Sequence, residues 1–120
     1  MKRFGIVILF LLSAGHAPAG LETVRPFLQQ YCFDCHGPEK QKGDYRFDTL
    51  GLDLSRPRTL DVWQNILDQL NLGEMPPAKK TPQPPFAETR TVIDTLTATL
   101  KQAYVQHRST GGQAVIRRLN

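Results

Sequence analysis

The sequence predicts an all-α domain. Apolar residues recur at helical spacing in three separate segments, and no stretch alternates apolar and polar residues long enough to make a strand. Between those segments glycine, proline and charged residues gather, and neither helix nor strand runs there.

The chain opens with Lys2 and Arg3, followed by an apolar run from Phe4 to Leu12 that only Gly5 interrupts. Ser13, Ala14 and Gly15 come next, then the small-residue pair Ala17 and Ala19. This is the charged, apolar and A-x-A order of a secretory signal, expected over residues 1–19. The run is too short for the roughly 20 residues that cross a bilayer, so no stable membrane span is expected after cleavage. No cysteine sits at the cleavage point, so no lipid anchor is expected. The mature chain is expected to be exported, periplasmic or otherwise extracytoplasmic.

A first helix is expected over 21–35, from the spacing of Val24, Phe27, Leu28 and Tyr31. Pro26 is tolerated in its first turn, and His36-Gly37-Pro38 ends it. Residues 38–59 read as a long irregular loop anchored by Phe47, Leu50, Leu52 and Leu54; loops of that length in a small domain usually serve a function. Leu60, Trp63, Ile66, Leu67 and Leu70 predict a second, amphipathic helix, with Asp61 near its positive end and Gly73 as its stop. Five prolines fill 75–85. A third helix is expected over 86–107 with Ile93, Leu96, Leu100 and Tyr104 on one face, then a linker at 109–112 and a short tail.

The full sequence has 120 residues, 40% of them hydrophobic, and formal net charge +4. That length suggests one domain and excludes, within these residues, a multidomain enzyme, a porin or a bundle of spanning helices. Loss of Lys2 and Arg3 with the signal lowers the charge to +2. The remaining basic residues are scattered without aromatic interleaving, so no nucleic-acid partner is expected. Without the signal the apolar fraction is also low for a chain of this size, which calls for a disulfide, a metal or a cofactor to complete the core.

Cys32-Phe33-Asp34-Cys35-His36 supplies a candidate. C-x-x-C-H is the pattern of covalent c-type haem attachment. Two thiols three residues apart at a helix end can reach the two vinyl groups of one porphyrin. The imidazole of His36 then lies under the iron as proximal ligand, its other ring N–H held by a carbonyl. A thiol–disulfide redox site is the main alternative, but such sites open a helix after a strand and activate the first thiol there. A zinc site would need four ligands; Cys32, Cys35, His36 and His107 are the only cysteines and histidines beyond residue 19, and adjacent Cys35 and His36 suit one tetrahedron poorly.

The distal ligand follows by elimination. Beyond the signal Met75 is the only methionine, set in Gly73-Glu74-Met75-Pro76-Pro77, where two prolines stiffen the chain. His107 is the other side-chain choice and otherwise meets the helix end and solvent, and an open sixth position is the remaining reading. Trp63 either donates its indole N–H to a haem propionate or packs beneath the haem. Arg46, Arg56 and Arg58 can pair with propionates or remain solvated. Lys79 and Lys80 can present a positive docking edge to a redox partner.

On these residues the chain is similar to a class I c-type cytochrome. More narrowly it resembles the planctomycete-type cytochrome c domain found at the start of large exported proteins. The resemblance runs from about Phe27 to Leu119. It is carried by Tyr31 to His36, by Lys42-Gly43-Asp44-Tyr45-Arg46-Phe47-Asp48-Thr49-Leu50, by Val62-Trp63, by Gly73 to Pro77 and by Ile116-Arg117-Arg118-Leu119-Asn120. Asp44 stands where the family often has a second glycine. The resemblance implies a small class I fold, about three helices and long loops wrapped around one haem c bound to Cys32 and Cys35, with His36 and Met75 on the iron. It implies a haem domain over 20–109, with 110–120 a linker and the start of a following domain. The expected role is single-electron transfer with no substrate bond made or broken, to a redox partner or to attached downstream domains. A haem-free C-x-x-C thiol–disulfide oxidoreductase is the alternative.

Overall fold

The computed structural model describes residues 20–109. The expected signal over 1–19 and the expected tail over 110–120 lie outside them. Among the described residues the regular structure is entirely helical: α1 at Arg25–Tyr31, α2 at Pro57–Leu72 and α3 at Phe86–Ser109, with 3-10 turns at Leu21–Thr23 and Lys42–Asp44. An isolated bridge between His36 and Gln41 is the only strand-like pairing among these residues. The all-α expectation holds.

Helix α2 packs on α3, and the first 3-10 turn touches both α1 and α3. The core takes Leu60, Trp63, Ile66, Leu67 and Leu70 from α2, and Val92, Leu96, Leu100 and Ala103 from α3. Val24, Phe27, Leu28 and Tyr31 close it from the N-terminal side. Tyr31 also donates its hydroxyl to Glu88 on the first turn of α3 (3.1 Å), tying α1 to α3.

Several boundaries and one face differ from the sequence reading, and α1 begins at Arg25 after a 3-10 turn at Leu21–Thr23. Helix α1 stops at Tyr31, short of Cys35, because the amides of Cys32 and Phe33 both turn back to the Leu28 carbonyl (2.8 and 3.0 Å) and break the register. Helix α2 begins at Pro57, the proline occupying the first turn where its missing N–H costs nothing; Asp61 therefore lies beyond that turn. Helix α3 runs two residues past His107, to Ser109. Its buried face runs through Val92 and Ala103, while Tyr104 is exposed.

The long loop before α2 is shaped by donors reaching to its carbonyls. Arg25 donates to the carbonyls of Asp48 (3.2 Å) and Leu50 (2.9 Å). Trp63 Nε1–H donates to that of Gly51 (2.9 Å). His107 Nε2–H donates to that of Leu54 (2.9 Å). The loop is thus held on α1, α2 and α3, with Phe47 buried and Leu50 and Leu54 half-buried against the core. Leu52, expected as an anchor, is exposed.

Candidate functional site

The Cys-His segment is a compact turn on the end of α1. The amides of Cys35 (3.1 Å) and His36 (2.9 Å) both close on the Cys32 carbonyl. Outside this turn a second layer of backbone bonds fixes it: Lys42 N–H to the Cys35 carbonyl (3.0 Å), and Phe47 N–H to the His36 carbonyl (2.7 Å). Gly37 is buried beneath it, and a Cβ there would lie 2.3 Å from the Phe33 carbonyl oxygen. Only glycine fits, a requirement the sequence reading did not register.

The imidazole of His36 is held on two sides. Its Nδ1–H donates to the Tyr45 carbonyl (3.3 Å). A carbonyl can only accept, so Nδ1 carries the proton and Nε2 keeps its lone pair, the arrangement that prepares a histidine to ligate a metal. The Phe47 ring stacks on it with centroids 4.6 Å apart at 28°. Tyr45 is tethered in turn, its hydroxyl accepting from Asn65 Nδ2 on α2 (2.9 Å). Tyr45, Phe47 and Asn65 thus support the imidazole, a role the sequence indicated for none of them; Phe47 was expected only as a loop anchor.

Gly43 (φ 64°) and Asp44 (φ 63°) form the left-handed corner that turns the chain toward Tyr45. The left-handed region suits glycine and strains a side chain. Asp44→Gly is therefore expected to raise stability by about 0.5–1 kcal/mol, read as a higher denaturant midpoint with an unchanged slope.

Helix α2 ends as Gly73 adopts φ 69°. The Glu74 amide returns to the Gln69 carbonyl (3.1 Å) and the Gly73 amide to that of Leu70 (3.2 Å), a Schellman ending. This cap reverses the chain and delivers Met75. The following loop is clamped by Lys80 N–H to the Pro77 carbonyl (2.8 Å), while Gln83 Nε2 donates to the carbonyls of Pro77 (2.8 Å) and Lys80 (2.6 Å). Lys80 Nζ pairs with the Asp34 carboxylate, between the two cysteines.

Cys32, Cys35, His36 and Met75 all line one cavity of about 340 Å³, a size within the range of small-molecule and cofactor sites. Tyr31 and Phe47, with Ile66 and Leu70 of α2, contribute its apolar wall. An apolar slot with two thiols, an imidazole and a thioether fits a covalently bound haem. Among the described residues no group of three or more His, Cys, Asp or Glu is arranged to hold a bare metal ion. Both cysteines are free thiols. Burial, with a smaller push from neighbouring Cys35, drives the Cys32 thiol up to about 12. A thiol so reluctant to ionise is a poor redox nucleophile.

The other candidates lie elsewhere. Trp63 is buried, its indole N–H engaged by Gly51, and it does not line the cavity. His107 is engaged with Leu54 and is also absent from the lining. Arg46 is paired in a bidentate manner with Asp48 (2.8 and 2.9 Å), and Arg56 with Asp53 (3.1 Å). Arg58 and Lys79 are exposed. No helix among the described residues is long and apolar enough to cross a membrane.

Residues 32–79 match the family model described as Planctomycete cytochrome C. The matched stretch begins at the first thiol, contains Tyr45 and all of α2, and ends within the Met75 loop. No curated protein and no solved structure matches the chain.

Proposed function

We propose that the chain, whose residues 32–79 match the planctomycete cytochrome c family model, is an exported one-electron carrier with a single haem c on Cys32 and Cys35, ligated by His36 and Met75. The observation that carries this reading is the meeting of both thiols, His36 and Met75 at one apolar cavity, with His36 Nδ1 already committed to the Tyr45 carbonyl.

The haem, when bound, supplies a one-electron Fe(III)/Fe(II) couple. The residues around it set how that couple behaves. Tyr45 draws on the His36 N–H and strengthens the imidazole as a donor. The soft thioether of Met75 favours the reduced state relative to a second imidazole, so the potential is positive-going. Ile66, Leu70 and Phe47 give the cavity an apolar wall beside the ligands. Nothing in this constellation activates a substrate, and the domain serves a redox partner or attached domains. Export rests on the pattern of Lys2, Arg3 and the apolar run after them.

A thiol–disulfide oxidoreductase needs an easily ionised first thiol, and the elevated Cys32 counts against it. Protein-film voltammetry of the matured protein separates the two. The expected result is one reversible one-electron wave at positive potential; a two-electron wave at strongly negative potential that vanishes on thiol alkylation would overturn the reading.

A further inference from the structure

The Cys-His turn and the Met75 loop come from distant parts of the chain, 46 positions apart at Asp34 and Lys80, yet they are joined by an ion pair between those two residues. We propose that Asp34 and Lys80 form a latch that positions Met75, holding its loop closed against the Cys-His turn. The inference rests on the His36/Met75 reading and names two positioning residues for it.

Two features set this pair apart from a loose surface contact. Lys80 lines the same cavity as Met75, and its side chain is only 24% exposed although its partner's is 72% exposed. Its aliphatic stem thus packs inward while the ammonium reaches out across the rim. The loop is also internally braced: the turn from Pro77 to Lys80 and the two Gln83 bonds make it a stiff unit. A restraint at Lys80 is therefore passed back along that unit to Met75. Prolines at 76 and 77 lack backbone donors that could tie the Met75 end down, and among the described residues the Asp34 contact is the polar link from this loop to the Cys-His turn.

A partly exposed ion pair is a modest restraint that salt screens, so the latch is expected to shift the opening of the Met75 loop about two- to fivefold. Imidazole is the probe, because it occupies the iron only when Met75 leaves. With the ferric holoprotein, titration followed at the iron–sulfur absorption band is expected to give two- to fivefold tighter imidazole binding for Lys80→Gln and for Asp34→Asn. The charge swap Asp34→Lys with Lys80→Asp is expected to return it toward wild type. High salt is expected to bring wild type to the level of the single variants and leave those variants unchanged. Global unfolding followed by far-ultraviolet circular dichroism serves as a control that the variants remain folded. Unchanged imidazole affinity in both single variants and no salt effect on wild type would overturn the latch alone. A wild-type holoprotein with no iron–sulfur band would overturn the Met75 reading and the latch with it.

Discussion

Met75→Ala is expected to abolish the iron–sulfur absorption band and to lower the reduction potential by a fraction of the roughly 0.8 V that axial-ligand identity spans. The expectation follows from the local geometry. The Gly73 cap places Met75 three residues beyond the end of α2, at the cavity that also holds His36. Alanine leaves that position without a thioether, and the only other methionine in the sequence is Met1. The spare histidine, His107, is committed to Leu54 and stands away from the cavity. The variant is thus expected to bind water or added imidazole at the iron, with the haem still covalently attached through Cys32 and Cys35. Retention of the sulfur band in Met75→Ala would refute the ligand assignment.

Gly37→Ala is expected to be the most damaging single methyl group that can be added to the site. Its Cβ would sit 2.3 Å from the Phe33 carbonyl oxygen, a backbone atom that cannot rotate away. Relief requires opening the turn that Cys32, Cys35 and His36 share, and overpacking of this kind costs about 1–3 kcal/mol or more. For a domain of this size each kcal/mol corresponds to about 4–8 °C in Tm. The variant is expected to melt several degrees lower and to take up less haem, since the thiols and imidazole no longer share one geometry. Gly51→Ala is the control: a Cβ there meets nothing within 4 Å, so its thermal midpoint is expected to stay within a degree or two of wild type. Equal melting of Gly37→Ala and Gly51→Ala would contradict the steric account.

The sequence made the chemical residues legible because haem attachment needs a fixed local spacing, and local spacing is what a sequence displays. The stop at Gly73 was legible for the same reason: a left-handed cap favours glycine wherever it occurs. The face of α3 was not. Val92 and Ile93, and again Ala103 and Tyr104, stand side by side, so two apolar stripes one residue apart fit the helical period equally well. Packing against α2 selects Val92 and Ala103. The hidden part of the site is non-local. Nothing near Tyr45 indicates that its carbonyl receives the His36 N–H, or that Asn65 on α2 holds its hydroxyl. Trp63 shows the same limit. Its indole donor suited a propionate in sequence, yet the loop carbonyl of Gly51 lies within its reach. The low apolar fraction pointed to a cofactor, and the cavity at the Cys-His turn is where the protein leaves room for one.

The central claim is that Cys32 and Cys35 attach a haem. It is tested most directly by producing the full chain together with a haem-attachment apparatus, denaturing it, and recording the haem spectrum of the chain separated from all non-covalent cofactor. The expected result is a c-type haem spectrum that travels with the wild-type chain and is absent from the Cys32→Ser, Cys35→Ser double variant. A wild-type chain that emerges colourless, or that surrenders its haem to acidic organic solvent, would contradict the account.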